Sequence, residues 1–256
     1  MSRSAEAPAL RPRRRVFAGP QQFQGGEVFL SPAEAHHLRR VLRLGAGDRV
    51  EVVDGQGRIF AAEICRLSAH DGQLRLCGEI AAAVESPLQL TLGQALVRAE
   101  AFDLIVRQVT EMGVCQLIPF YAERSLVRAD AWQPGKLTRW QRLAQEAVKT
   151  SERARLPLIA PPVTFHEVLT GSEEVKLICW EDLRHQERRQ PWTAASRPRQ
   201  VRLLIGPEGG FTAQEVAAAQ AAGFQLLGLG PRRLRVETAA VAAVSLLQYL
   251  WGDLCP

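Results

Sequence analysis

The chain has 256 residues, 46% of them hydrophobic, enough for one large or two small packed domains. A formal net charge of +5, carried by 32 basic residues of which only Lys136, Lys149 and Lys176 are lysines, leans toward acidic partners and nucleic acid above all. Five cysteines without a C-x-x-C pair argue against a disulfide framework and a zinc site, and the longest apolar run, Ala239 to Leu247, is shorter than the roughly 20 residues of a membrane span. With no apolar signal-peptide core at the N-terminus, a cytoplasmic setting is expected.

Residues 1–15, rich in Ala, Pro and Arg and ending in RPRRR, read as a flexible basic arm. Residues 16–80 read as a small antiparallel barrel of short strands: Glu27 to Leu30, Arg49 to Val53, Arg58 to Ile64 and Gln73 to Ile80, separated by glycine turns. One helix interrupts them. Ser31 is its expected N-cap, Pro32 its first residue, Glu34 the capping-box partner and Gly45 its stop. The adjacent His36 and His37 lack the i,i+4 spacing of a metal site.

Residues 81–87, AAAVESP, read as a linker, and residues 88–256 as a second domain. There the rhythm changes. Leu88 to Leu96 is a buried strand, and Phe102, Ile105, Val106, Val109 and Met112 recur at helical spacing up to Gly113. Val114 to Phe120 is a strand, and Leu137, Trp140, Leu143, Ala144, Ala147 and Val148 mark a long helix. Strands follow at Leu156 to Ala160, Glu174 to Trp180 and Val201 to Ile205, with a polar exposed loop between Glu181 and Arg199. The capping box TAQE, Thr212 to Glu215, opens an alanine-rich helix, Phe224 to Leu229 is the last strand, and an apolar buried helix runs from Ala239 to Trp251. Alternation of this kind predicts an α/β domain with a mostly parallel sheet.

Two strands run into glycine turns, IGPEGGF from Ile205 and LGLGPRRLRVETAA from Leu227. Neither is a P-loop or a dinucleotide fingerprint. Paired turns at the carboxyl ends of strands suit the clamping of a flat, uncharged group through backbone N–H and C=O.

GPEGGF followed by LGPRRLRVETAA resembles the SPOUT class of methyltransferases, and specifically the RsmE family, which methylates N3 of a uridine in 16S ribosomal RNA. EAHHLRRVLRLGAGDRVEVVDGQG is similar to that family's PUA-like RNA-binding barrel; EMGVCQLIPFYAERS and RWQRLAQEAVKTSERARLP are similar to its E-R-S and S-x-R segments. The resemblance implies a C-terminal trefoil knot, S-adenosylmethionine as cofactor, 16S rRNA of the small subunit as partner, a homodimer, and neither metal nor membrane. It places Gly206, Glu208, Gly209 and Gly210 at the cofactor from the first turn, and Leu229, Gly230, Leu234, Arg235 and Thr238 from the second. Uracil N3 must lose a proton before it can attack, and Arg124, Arg153 and Arg235 are the cations expected around the base to stabilise the developing anion, with Glu146 a further candidate there. Arg14, Arg15, Arg39, Arg40 and Arg43 are candidate RNA contacts. The chain departs from the family pattern at Thr150 and Glu152, in the segment where Q-S-x-R is usual, and at Gln108, where a lysine is common. The competing readings are a SPOUT enzyme acting on a ribose 2′-hydroxyl or on transfer RNA, and a non-catalytic RNA-binding protein.

Overall fold

A computed structural model describes residues 14–80, 85–127, 132–181 and 197–254. Residues 1–13 of the expected arm, 81–84 of the expected linker and 182–196 of the expected loop lie outside them. The chain divides into two compact units between residues 83 and 84.

The first unit holds β1 (Arg15–Phe17), β2 (Phe23–Gln24), β3 (Glu27–Leu30), α1 (Pro32–His36), β4 (Arg49–Val53), β5 (Ile59–Leu67) and β6 (Gly72–Ile80). They form one sheet in the order β1-β4-β5-β6-β3-β2, antiparallel except that β1 runs parallel to β4. Period-2 alternation buries Val50 and Val52 of β4, and these pack with Val16, Val28, Leu38, Ile64 and Leu74 in a separate core. Ser31 caps α1 as expected, its Oγ accepting from the Glu34 N–H at 3.3 Å. The helix does not continue to Gly45. It widens into a π-helical turn over His37–Val41, and Arg43 adopts a left-handed φ of 55°. The wide turn keeps Leu38 and Leu44 in the core while the chain reverses.

The second unit holds β7 (Gln89–Ala95), α2 (Ala99–Glu111), β8 (Gln116–Tyr121), α3 (Pro134–Thr150), β9 (Leu158–Ile159), β10 (Val163–Thr164), α4 (Phe165–Val168), β11 (Val175–Cys179), β12 (Gln200–Ile205), α5 (Ala213–Ala221), β13 (Gln225–Leu227) and α6 (Val236–Trp251). Its sheet is wholly parallel in the order β10-β8-β7-β12-β11-β13, with β9 also on β8. The strand expected over Leu156 to Ala160 is shortened to β9, and Pro161 and Pro162, which cannot donate to the ladder, separate it from β10.

The central strand β7 is buried on both faces, as parallel strands between helices are. Leu90, Leu92 and Leu96 meet Phe102, Ile105 and Val109 of α2, Leu143 of α3 and Val244 and Leu247 of α6. Ala95 lies with Phe120, Leu204, Val216 and Ala219 in a second cluster. Helix α6 starts at Val236, three residues before the expected Ala239, and packs on α2. Its buried Gln248 donates to the Met112 carbonyl at 2.9 Å and accepts from the Ser86 hydroxyl at 2.6 Å, so the described end of the expected linker is anchored in this unit. Among the described residues no helix is long and apolar enough to cross a membrane.

Candidate active site

The sheet topology gathers the two glycine turns. β12 ends at Ile205 and feeds the turn from Gly206 to Phe211; β13 ends at Leu227 and feeds the turn that leads to α6. β11 lies between β12 and β13 and pairs with both. Its carboxyl end therefore stands between the two turns. The Trp180 N–H donates to the Leu227 carbonyl at 3.1 Å, and the Glu181 carboxylate rests against Gly210.

Gly210 has a φ of 69° and closes its turn by donating to the Pro207 carbonyl at 2.9 Å. A Cβ there would overlap Oε1 of Glu181 and lie 3.0 Å from its Cδ. Gly206 is hemmed by the Phe211 ring, 3.1 Å from where a Cβ would stand. Gly230 has a φ of 97° with open space around its missing side chain. Two left-handed glycines give these turns a backbone suited to close approach by a ligand. Behind them, Gln94 of β7, opposite Ile205, is fully buried, and its Oε1 has no partner among the described residues. An orphaned buried acceptor beside a glycine cradle fits a site built to receive a polar group.

The first turn is tied to the ends of two neighbouring strands. Glu208 Oε1 accepts from the Arg98 N–H at the head of α2 at 3.3 Å. Glu208 is therefore a turn-fixing acceptor rather than a free base. Arg124 Nη1 donates to the Gly209 carbonyl at 3.1 Å, which holds an exposed cation at the mouth of the turn. Glu215 of the α5 capping box accepts from the Thr212 N–H with Oε2 and from the Glu123 N–H with Oε1, at 2.8 Å each. The Thr212 hydroxyl lies 3.1 Å from Glu123 Oε2. The E-R-S segment is in this way bolted to the glycine turn, and Arg124 is carried by that bolt.

The second turn presents Leu229 against the apolar core, a half-buried Leu234 and an exposed Arg235. Arg235 is the N-cap of α6, its carbonyl accepting from the Ala239 N–H at 2.8 Å, and Thr238 is exposed in the first turn of that helix. Burial, followed by the Glu181 charge, pushes the Cys179 thiol above the usual thiol range.

Arg153 is elsewhere. It is 4% exposed, and its guanidinium is engaged at all three nitrogens. Nε and Nη2 donate to Glu85 Oε2 at 3.1 and 2.9 Å; Nη1 donates to the Thr110 and Val114 carbonyls at 2.6 and 3.1 Å. The expectation that Arg153 faces the uracil is revised on that ground: its charge is spent inside the unit, tying the end of α2 to Glu85. Glu146, on α3, pairs with Lys149 one turn on at 3.0 Å and makes no hydrogen bond to either glycine turn. Arg15 is revised in the same way. It is the first residue of β1, 4% exposed, and its Nε donates to Glu51 Oε2, directly opposite in the parallel register, at 2.7 Å. Arg14 is exposed and paired with Asp48 at 3.4 Å; Arg39, Arg40 and Arg43 are exposed. Arg39 and Arg43 do not share a helix face, because the π turn and the left-handed Arg43 intervene.

Sequence reasoning missed Glu85, Glu181 and Glu215 as a group. Only Glu215 carried a signal, its capping box, and that signal said nothing of its second bond to the E-R-S segment.

Residues 84–248 match the model of an RNA methyltransferase domain, and residues 30–77 that of an RNA methyltransferase PUA domain. The chain is 37% identical to the ribosomal RNA small subunit methyltransferase E of Synechocystis sp., over 92% of this chain and 77% of that protein. It is 30% identical to the Bacillus subtilis protein of the same name, over 90% of this chain and 93% of the relative. A crystal structure of the Neisseria gonorrhoeae ribosomal RNA small subunit methyltransferase E, bound to S-adenosyl methionine, matches with a TM-score of 0.81 at 32% identity, covering 94% of this chain and 99% of that one.

Proposed function

The chain belongs to the ribosomal RNA small subunit methyltransferase E family of RNA methyltransferases, and from that premise we propose that it methylates N3 of one uridine in 16S rRNA of the small subunit. S-adenosylmethionine is the cofactor of this reaction, supplying an electrophilic methyl group on a cationic sulfur. The observation that carries the reading is the cation of Arg124, held by the Gly209 carbonyl at the mouth of the left-handed glycine turn.

Gly206, Glu208, Gly209 and Gly210 hold the cofactor from one side, and Leu229, Gly230, Leu234, Arg235 and Thr238 from the other. Uracil N3 carries a proton at neutral pH, and that proton has to leave before the nitrogen lone pair can attack. Arg124 lowers the cost of the uracil anion by placing a fixed positive charge beside it. Because its guanidinium is hydrogen-bonded to the cofactor turn, it also sets the distance between acceptor and donor. Arg153 and Glu85 tie the end of α2 to the start of the unit at the amino ends of β7 and β8, away from the glycine turns.

The trefoil knot is part of this reading. It is supported by the path of the chain after β13, which leaves the sheet edge and returns as α6 across α2 and β12. The homodimer is supported by α6 and α2, where Tyr249 and Leu104 stand exposed on helices otherwise rich in buried apolar residues. Cytoplasmic location follows from the ribosomal substrate.

Incubation of labelled cofactor with small-subunit particles and with naked rRNA, followed by mass-spectrometric mapping, tests the acceptor. Label on uracil N3 is expected; label on a ribose oxygen or in transfer RNA would overturn the assignment. Arg124→Ala should lower turnover by about a hundredfold near neutral pH. Cofactor affinity should change little, and turnover should recover partly as rising pH ionises uracil unaided.

In the first unit, Arg39, Arg40 and Arg43 are the candidate phosphate contacts, a reading supported by their exposure. Affinity for rRNA should fall steeply with salt. Replacing Arg39 and Arg40 by Gln should flatten the log–log salt slope by about one for each phosphate that is no longer neutralised. An unchanged slope would remove this turn from the RNA interface.

A further inference from the structure

Beside the first turn, Glu181 is the carboxylate left uncommitted among the described residues. The other carboxylates at the first turn are engaged: Glu208 by the Arg98 N–H, Glu123 by the Thr212 hydroxyl, and Glu215 by the Thr212 and Glu123 N–H groups. Among the described residues Glu181 has neither a hydrogen bond nor an ion pair, although it lies at the end of β11, between the strands that feed both glycine turns. Its carboxylate occupies the space that Gly210 leaves by having no side chain.

The surrounding charge gives that position a use. Arg98, Arg124, Arg232, Arg233 and Arg235 are all exposed at the ends of β7, β8 and β13, where strand ends and turns converge. A rim of this kind suits an RNA backbone and opposes any small cation. S-adenosylmethionine carries a permanent positive charge on sulfur, whereas its demethylated product, S-adenosylhomocysteine, has a neutral thioether there. A carboxylate beside the left-handed turn offsets the repulsion for the first and does nothing for the second.

We propose that Glu181 is a cofactor-contact residue that serves as counter-charge to the sulfonium, and so makes the site favour the charged cofactor over the neutral product. This rests on the cofactor reading of the two turns. A site with that bias binds the methyl donor against the arginine rim and loses part of its hold once the methyl has gone, which speeds exchange of product for fresh cofactor.

Calorimetry of the full chain with each compound, for the parent, Glu181→Gln and Glu181→Asp, tests it without any turnover. Glu181→Gln should weaken S-adenosylmethionine binding about tenfold, a modest sum because the carboxylate is exposed and screened. Its affinity for S-adenosylhomocysteine should change less than about twofold, and the difference should shrink as salt is added. Glu181→Asp, which keeps the charge, should retain most of the preference. Matching thermal melts would show that the variants fold. Equal weakening of both compounds would overturn the proposal by pointing to a group the two share, such as the ribose hydroxyls or the ammonium; unchanged affinities would overturn it too. A parent chain that binds neither compound would overturn the cofactor reading itself, a result distinct from either.

Discussion

Arg153→Ala should cost about 3–5 kcal/mol of folding stability, the range for breaking a buried ion pair from one side. The guanidinium joins two places distant from it in sequence: Glu85, and the turn after α2, through the Thr110 and Val114 carbonyls. Truncation leaves those two carbonyls without their charged donor. It also leaves the Glu85 carboxylate, whose side chain is 18% exposed, with only the Ala154 and Arg155 N–H groups at 2.8 Å each. Urea unfolding followed by circular dichroism reads the loss. Glu85→Gln combined with Arg153→Met should recover part of it, since no charge is then stranded. Turnover per folded molecule should fall modestly and without the rescue at high pH expected for Arg124→Ala. A variant of normal stability whose turnover is lost at neutral pH and restored by alkali would return Arg153 to the uracil.

Gly210→Val should weaken S-adenosylmethionine binding by about a hundredfold. Two costs combine. A β-branched residue at φ of 69° pays roughly 1–2 kcal/mol of backbone strain. The new side chain also displaces the Glu181 carboxylate from the cradle. The free variant relieves that strain by relaxing out of the turn and must recover the turn to bind, so at 1.4 kcal/mol per factor of ten strain accounts for about the first tenfold. Its neighbour should behave differently. A Cβ at Gly209 stands 3.0 Å from Arg124 Cβ, so Gly209→Ala pushes on the arginine rather than on the cradle. It should reduce turnover more than affinity. Calorimetry and single-turnover rates on both variants separate the two. If Gly210→Val binds as the parent does, the first turn is not part of the cofactor site.

Much of the fold is legible because its causes are local. The caps Ser31 and Thr212, the helical spacing from Phe102 to Val109 and the glycine stop at Gly113 each act within a few residues, and the corresponding elements stand close to where the spacing puts them. The two glycine turns are visible for the same reason: a left-handed φ is a property of one residue. Where boundaries shift, a local rule has met a tertiary one, as when the core draws Leu44 inward and widens the helix after His36.

The arginines show where local information ends. Arg124 and Arg153 look alike in the chain, each close to a serine and each in a segment shared with the family. One is exposed on the glycine turn and the other is sealed inside the unit. The difference is made by Gly209, 85 residues away from the first, and by Glu85, 68 residues away from the second. Arg15 differs from Arg14 only because strand register sets it opposite Glu51. By itself the sequence determined the succession of strands and helices, the two close-approach turns and the reaction class, all of which rest on backbone preference, side-chain period and family motifs. Tertiary structure alone decided which charges reach the ligand and which are consumed within the protein, because the fate of a charge depends on the partners that packing brings to it.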